Sequence, residues 1–183
     1  MRIIAGSARG HRIKAPDGSG TRPTTDKIRE AMFSILFDKV VDAKVLDIFA
    51  GTGAIGIESL SRGAKSAIFI DHNHICCDII RENLDKTKLK SNATVFCNDS
   101  FRAMEMLSKK GEKFDIIFID PPYFEGYFDK ILGCISEKEL LEDNGILVVE
   151  KHVTVEMEEE HVGFEMFKEK RYGEILLCFY RKV

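Results

Sequence analysis

An acidic tetrapeptide with two prolines is the first candidate for chemistry in this sequence. Asp120-Pro121-Pro122-Tyr123 directly follows an apolar run at residues 114–119. Two prolines fix φ and remove two backbone donors, so a rigid turn at the end of a strand is the simplest interpretation. That interpretation leaves unexplained an acid before the prolines and an aromatic residue after them.

The same four residues resemble the Asp/Asn-Pro-Pro-aromatic motif of methyltransferases that act on planar amino nitrogens, and their chemistry suits that reaction. The lone pair of such a nitrogen is delocalised into its ring, which makes the nitrogen a poor nucleophile. Hydrogen bonds from its protons to Asp120 and to a proline carbonyl would favour a pyramidal nitrogen and free the lone pair for in-line attack. Stacking of the base on Tyr123 would offset part of the cost of unstacking it, a few kcal/mol.

A glycine-rich loop follows an earlier apolar run at residues 45–48. The chain there reads Phe49-Ala50-Gly51-Thr52-Gly53-Ala54-Ile55-Gly56, which contains G-x-G-x-x-G, and Asp71 ends the next apolar run. The pattern alone is typical of dinucleotide-binding proteins, whose acid holds ribose hydroxyls. Asp47 favours another cofactor, because a carboxylate at that strand end repels a pyrophosphate and attracts an ammonium group. We therefore expect S-adenosylmethionine, which has a sulfonium and an amino group but no phosphate, rather than NAD.

The elements that must position these residues follow from the hydrophobic pattern. From Lys44 onward, five β-rich runs alternate with segments of helical length, which indicates βαβ units and a parallel sheet. After Glu150, two strand-like runs at 164–167 and 175–180 are too close together for a parallel return and should pair antiparallel. The predicted fold is α/β: a mostly parallel, seven-stranded sheet with an antiparallel C-terminal hairpin, the layout of Rossmann-like methyltransferases. Asp71 should then lie at the carboxyl ends of the strands, where ligands of such sheets bind.

Residues 1–43 precede this core and concentrate positive charge. Residues 1–30 carry a net charge of +4, although the whole chain carries −3. A hairpin is predicted over residues 3–13, with Gly6 and Gly10 near its bends, followed by a helix capped by Thr24 or Thr25. A basic surface suits a polyanion, whereas a solvated basic tail is the alternative. The expected RNA-binding residues are Arg9, His11, Arg12, Lys14 and Arg22.

Length and composition limit the class of protein. With 183 residues, 44% of them hydrophobic, one domain spanning 1–183 is expected, with 1–43 as an RNA-contacting part and 44–183 as the catalytic core. No apolar run approaches the roughly 20 residues that cross a bilayer, and the basic N-terminus does not resemble a signal peptide, so we expect a cytoplasmic protein. The five cysteines show no zinc-ligand spacing, which predicts reduced thiols and no metal.

The chain resembles, from end to end, the bacterial methyltransferases that form N2-methylguanine in 16S ribosomal RNA. Beyond the two motifs, the similarity rests on four segments: Met1-Arg2-Ile3-Ile4-Ala5-Gly6 with Arg9-Gly10, Arg22-Pro23-Thr24-Thr25-Asp26 with Arg29-Glu30, Leu60-Ser61-Arg62-Gly63-Ala64, and Tyr172-Gly173. Many members are expected to have Phe where this chain has Tyr123, a change that preserves stacking.

The resemblance implies the roles of the remaining residues. Asp99 corresponds to the family's acceptor for the adenine amino group, with the backbone N–H of Ser100 beside it, although Asp71 and Asp99 could both be simple helix caps. The implied donor-binding set is Asp47, Phe49, Ala50, Gly51, Thr52, Gly53, Asp71, Asp99 and Ser100, and the implied catalytic set is Asp120, Pro121, Pro122 and Tyr123. The implied target is guanine N2 in 16S rRNA, within a 30S particle or an assembly intermediate.

Two other functions remain open from the residues alone. DNA adenine-N6 methyltransferases use the same tetrapeptide, but residues 1–43 leave little room for a sequence-reading domain. A nucleic-acid-binding protein on an inactive methyltransferase scaffold is the second alternative. The intact acids and glycines, Asp47, Gly51, Gly53, Asp71 and Asp120, argue against such degeneration.

Overall fold

The computed structural model describes residues 1–16, 25–121, 127–155, 160, 161 and 163–183. Arg22, Pro122 and Tyr123, three of the predicted site residues, lie outside these ranges. The described helices are α1 (Asp26–Leu36), α2 (Ala54–Ser61), α3 (His74–Thr87), α4 (Ser100–Lys109) and α5 (Tyr127–Glu137). The described strands are β1 (Lys44–Ile48), β2 (Ser66–Asp71), β3 (Ala93–Cys97), β4 (Phe114–Ile119), β5 (Leu141–His152), β6 (Glu160–His161), β7 (Phe164–Tyr172) and β8 (Ile175–Lys182).

The strands form one mixed sheet in the order β3-β2-β1-β4-β5-β8-β7-β6. β1 to β5 are parallel, and β8 pairs antiparallel with both β5 and β7. The predicted fold class is confirmed, including the antiparallel C-terminal hairpin. The seven predicted strands are all present, and the two-residue β6 extends the edge beyond β7.

Helices cover both faces of the sheet, which explains why its inner strands read as continuous apolar runs rather than alternating ones. On one face, α1, α2, α3 and the N-terminal residues Ile3, Ala8 and Ile13 pack against Val45, Phe69 and Phe118. On the other face, α4 and α5 pack against Leu46, Ile117 and Val149.

The first helix begins where the sequence indicated. The hydroxyl of Thr25 accepts a hydrogen bond from the backbone N–H of Ile28 at 3.3 Å, so Thr25 is the N-cap of α1. Apolar side chains spaced along α1, Ile28, Met32, Phe33 and Leu36, are buried against the sheet. No helix in the part of the chain that the structure describes combines the length and the apolar character that a membrane span needs.

The N-terminal segment, residues 1–16, is folded back on itself as the sequence predicted. The backbone N–H of Ile3 donates to the His11 carbonyl at 3.0 Å, and that of Gly10 donates to the Ile3 carbonyl at 2.9 Å. Gly6 (φ +81°) and Gly10 (φ +85°) occupy the left-handed region at the bends. The two arms join in a single β-bridge, Arg2 to Arg12, rather than in full strands.

Candidate active site

Four acids from adjacent strands lie on one face of the sheet near its carboxyl edge. Asp47 is in register with Phe69 on β2 and with Phe118 on β4, and Phe118 is in register with Val148 on β5. Side chains two residues apart on a strand point to the same face. Asp71, Asp120 and Glu150, each two residues beyond one of these partners, therefore share the face that carries Asp47.

The glycine loop, residues 49–53, is held by two of these acids. Asp71 accepts hydrogen bonds from the backbone N–H of Gly51 at 2.9 Å and from that of Asn73 at 2.8 Å. Asp47 accepts from the N–H of Gly56 at 3.0 Å, in the first turn of α2. Both acids therefore fix the loop and the helix behind it, a structural role that the sequence analysis did not assign to them.

The third glycine of the motif permits close packing of α2 on the sheet. A Cβ atom at Gly56 would lie 2.2 Å from the ring of Phe69, so a side chain there would force helix and strand apart. This matches the role of the third glycine in nucleotide-binding βα turns.

Phe49 lies in a strained conformation at the start of the loop. Its φ of +66° is rare for a residue other than glycine and is typical of functional sites. Its ring centroid lies 5.7 Å from that of Tyr127, which in turn lies 5.9 Å from that of Phe101. Tyr127 was not among the site residues predicted from the sequence. Its position as the first residue of α5, soon after the tetrapeptide, was the available signal.

A small pocket opens between the glycine loop and the ends of β2 and β3. Its lining consists of Phe49, Ile70, Asp71, His72, Asn98, Asp99, Ser100 and Tyr127. The structure thus brings four of the predicted donor-binding residues together. Asp99 is also the N-cap of α4, because its carboxylate accepts from the N–H of Arg102 at 3.1 Å. Asp99 is therefore a helix cap, as the alternative interpretation held, and it also lines the pocket.

Ser100 supplies an orphaned polar atom in this pocket. It is buried, and its hydroxyl oxygen has no hydrogen-bond partner among the described residues. Buried polar groups in folded proteins are almost always paired, so an unpaired hydroxyl on a residue that lines a pocket is a candidate ligand contact. A nucleoside with hydroxyl and amino groups fits this lining of acids, a free hydroxyl and aromatic rings.

The buried acids repel one another at this edge. Burial and the charge of Asp71 raise the pKa of Asp47 to about 7, although the hydrogen bond from Gly56 opposes the shift. Burial, together with the charges of Glu150 and Asp47, raises the pKa of Asp120 well above its usual value. A cation bound here would relieve this repulsion, so the site fits a positively charged ligand.

Glu150 was not among the predicted site residues. It is 4% exposed at the carboxyl end of the β5 core and adds negative charge beside Asp120. Its place as an acid at the end of the apolar run G-I-L-V-V-E was the available signal that it belongs to the site. Glu150 and Asp120 meet only because β5 pairs with β4, and no local pattern in the chain predicts that pairing.

The N-terminal segment is docked on α2 rather than free in solvent. The buried carboxylate of Glu58 accepts from the N–H groups of Ile4 at 2.8 Å and Ala5 at 3.0 Å. Ser61 accepts from the N–H of Ala8 at 2.9 Å through its hydroxyl, and a Cβ at Gly6 would lie 1.7 Å from its carbonyl oxygen. For residues 1–16, the alternative of a solvated tail is wrong.

The basic side chains of this docked segment face solvent. Arg9, His11, Arg12 and Lys14 are exposed, and Lys14 forms an ion pair of 2.8 Å with Glu82. Ala8 lies against Ser61 at the C-terminal end of α2, so Arg9 is about one helix length from the glycine loop, roughly 10 Å along eight residues. Lys14 lies at the opposite end of the segment, beside α3. The proposed RNA contacts would therefore extend along α2 towards the donor pocket.

In the part of the chain that the structure describes, the cysteines and the possible metal ligands form no organised centre. All five cysteines are free thiols. Within the described ranges, no cluster of three or more His, Cys, Asp or Glu side chains could hold a metal ion.

The sheet order, the glycine loop after β1 and the acid and proline after β4 define a Rossmann-like methyltransferase. The family model described as "Conserved hypothetical protein 95" matches residues 1–181. Ribosomal RNA small subunit methyltransferase D of Escherichia coli is 36% identical over 182 residues, covering 100% of this chain and 90% of that protein. The chain belongs to this family of small-subunit rRNA methyltransferases D, as the resemblance predicted.

Two further relatives agree with this assignment. YlbH of Bacillus subtilis, named as a candidate rRNA methyltransferase, is 37% identical over 182 residues, covering 100% of this chain and 99% of that protein. The solved structure of yhhF from Escherichia coli, described as a candidate methyltransferase, superposes with a TM-score of 0.87 at 34% identity and covers 100% of this chain and 97% of that one. The fold and the family thus extend over the whole chain.

Proposed function

We propose that this protein transfers a methyl group from S-adenosylmethionine to the exocyclic N2 amino group of a guanine in 16S ribosomal RNA. The observation that carries the proposal is the placement of Asp120 on the same sheet face as Asp47 and Asp71, beside the glycine loop. The full-length relative in Escherichia coli is named as a small-subunit rRNA methyltransferase, which supports rRNA as the substrate class.

The donor site follows from the described contacts. Asp71 would accept from ribose hydroxyls with oxygen lone pairs not used by Gly51 and Asn73, and Ser100 would donate its unpaired hydroxyl. Asp99, exposed at the rim, would accept from the adenine amino group. When bound, S-adenosylmethionine supplies an electrophilic methyl on a sulfonium. The buried acid Asp47 and the half-buried acid Asp120 would face that positive charge across a medium of low dielectric constant.

Asp120 has two tasks towards the base. Its carboxylate would accept the amino protons of guanine and orient the nitrogen for in-line attack, and the carbonyl of a neighbouring proline would accept a second proton. After transfer, the nitrogen must lose a proton, and Asp120 is placed to receive it as a carboxylate once a bound cation offsets the repulsion that raises its pKa. Tyr123 is assigned the stacking role on sequence grounds and lies outside the described residues.

The N-terminal segment would bind the RNA backbone. Its exposed cations lie on a surface that is fixed to α2 by Glu58 and Ser61, so they present a rigid array to phosphates. The substrate proposed is 16S rRNA within a 30S particle or an assembly intermediate, in the cytoplasm, with no metal involved.

Mass-spectrometric nucleoside analysis tests this function. Transcribed 16S rRNA, small subunits reconstituted from it, and duplex DNA are each incubated with the protein and isotope-labelled S-adenosylmethionine. We expect labelled N2-methylguanosine in an RNA sample, formed about 10² times more slowly or slower still with Asp120→Ala. Labelled N6-methyladenine confined to DNA would establish the DNA methyltransferase alternative, and absence of label from all three substrates would favour the inactive binding protein.

A further inference from the structure

A buried asparagine on α3 connects the N-terminal segment to the glycine loop. Asn83 is 1% exposed. Its side-chain NH2 donates to the Lys14 carbonyl and to the Thr52 carbonyl, both at 3.0 Å, and its side-chain oxygen accepts from the Lys14 N–H at 2.7 Å. One amide group therefore holds a residue of each element.

This connection is short and fully paired. The carboxamide of Asn83 uses both N–H donors and its oxygen, so each of its buried polar groups has a hydrogen-bond partner. The other arm of the segment also reaches the loop, because the Thr52 hydroxyl lies 3.9 Å from the Met1 sulfur. Thr52 is thus the loop residue on which both arms converge.

A second contact places the same part of α3 beside the proposed RNA-binding residues. Glu82, next to Asn83 in sequence, pairs with the Lys14 ammonium group at 2.8 Å. The backbone of Lys14 is therefore fixed by Asn83, while its charged end is held by an exposed partner that a phosphate can replace. A buried hydrogen bond is not screened by salt as this exposed ion pair is.

We infer that Asn83 is a positioning residue that couples donor binding to RNA binding. A donor that orders the glycine loop fixes the Thr52 carbonyl, which fixes the Asn83 carboxamide and, through it, the backbone of Lys14. RNA that orders Lys14 acts on the loop along the same contacts, because coupling between two binding equilibria is reciprocal. This inference rests on the proposed function, since it needs a donor at the loop and RNA on the segment.

The coupling is measured as a ratio of dissociation constants. RNA affinity is determined with small subunits reconstituted from unmethylated 16S rRNA, with and without saturating S-adenosylhomocysteine, which occupies the donor site without reacting. In the wild type we expect the ligand to tighten RNA binding by about fivefold or more, the lower end of typical allosteric coupling. The affinity for S-adenosylhomocysteine should rise by the same factor when RNA is present.

Variants locate the coupling. In Asn83→Ala the ratio should fall towards one, and in Asn83→Asp it should also fall, because a carboxylate keeps the contact with the Lys14 N–H but cannot donate to either carbonyl. Asn92→Ala is the matched control, since Asn92 donates to the Lys65 carbonyl at 2.9 Å and touches neither element. A wild-type ratio of one, or a ratio that stays unchanged in folded Asn83 variants, would overturn the inference.

Hydrogen exchange in the wild-type protein provides a test that needs no variant. The Lys14 amide, which donates to Asn83, should exchange more slowly when S-adenosylhomocysteine is bound. The Val41 amide, which donates to the Asp38 carbonyl in another turn, should not change. An unchanged Lys14 amide at saturation contradicts the inference. If nucleoside analysis shows no methyl transfer, the proposed function itself has failed, whereas normal methylation without coupling rejects the role of Asn83 alone.

Discussion

The carboxyl edge of the sheet and the N-terminal segment hold opposite charges in opposite environments. Asp47 and Glu150 are 3% and 4% exposed, whereas Arg9 and Arg12 lie in solvent. Buried charges interact strongly and shift each other's pKa, while exposed charges are screened by water and salt. The acids are thus arranged to act on one enclosed cation, and the bases to meet a large polyanion.

The contrast between buried acids at the sheet edge and exposed bases on the N-terminal segment is not complete, because a buried acid holds the N-terminal segment in place. Glu58 is 0% exposed, accepts two backbone N–H groups of the segment and pairs with Arg62 at 2.7 Å. Burial lowers the pKa of Arg29, which is also 0% exposed, and the nearby charge of Glu58 opposes that shift. The surface that would bind RNA is therefore held in place by the hydrogen bonds and the ion pair of a buried carboxylate.

Removal of this acid should have the largest effect on stability. Glu58→Ala leaves two N–H groups and Arg62 without their acceptor, and breaking a buried ion pair in this way costs about 3–5 kcal/mol. Urea unfolding measures the change. Glu82→Ala, which removes the exposed partner of Lys14, should cost less than about 1 kcal/mol and serves as control. Equal effects of the two variants would show that the segment is not held through Glu58.

The free energy of unfolding should depend on pH in a way that reveals the raised pKa of Asp47. With a pKa of about 7 in the folded state and near 4 when unfolded, Asp47 stays protonated in the native protein while the unfolded chain releases its proton. Its contribution to stability is complete below pH 4 and is lost as the pH rises through 7, by up to about 4 kcal/mol.

Asp47→Asn, which cannot ionise, should therefore gain stability relative to the wild type between pH 4 and 7. Urea unfolding of the donor-free proteins at several pH values measures this difference. Asp143→Asn is the control, because the ion pair with Lys182 lowers the pKa of that exposed acid rather than raising it. Parallel pH profiles for wild type and Asp47→Asn would rule out a strongly raised pKa at this position.

Loss of the carboxylate at Asp120 should slow methyl transfer without emptying the donor site. Asp120→Ala is expected to reduce turnover by about 10² or more, as removal of one transition-state hydrogen-bonding group does. The dissociation constant for S-adenosylhomocysteine should change little. Asp115→Ala, on the same strand but bonded to the Lys44 N–H at the opposite edge, should keep its turnover. Full activity of Asp120→Ala on RNA would refute the proposed chemistry.

The basic residues should have smaller, salt-dependent effects. Replacement of Arg9, Arg12 and Lys14 by Ala should weaken RNA binding and flatten the log-log salt dependence by about 0.7–0.9 for each lost phosphate contact. Lys14 should contribute least, because a phosphate must displace Glu82. Lys39→Ala, an exposed cation just before β1, is the control. A triple variant with wild-type affinity and slope would move the RNA site to the rim near Tyr127.

Local patterns were sufficient to predict the strands and the loops between them. Residues 45–48 are buried, as a strand with helices packed on both faces of its sheet requires, and Thr25 caps α1 because a hydroxyl before a helix satisfies a free N–H. The hairpin of β7 and β8 followed from a connection too short for a parallel return. The division into an RNA-contacting part at 1–43 and a catalytic core at 44–183 stays a prediction.

The sequence by itself determined the α/β fold, the glycine loop, the acid-proline motif after β4 and the basic N-terminus, because each depends on residues close together in the chain. The tertiary structure decided which side chains meet across large separations. Asn83 lies 69 residues from Lys14 and 31 from Thr52, and Glu58 lies 54 residues from Ile4. No local periodicity relates such positions. Their contacts exist only once the packing of α2 and α3 on the sheet has brought the N-terminal segment and the glycine loop to the same side of the molecule.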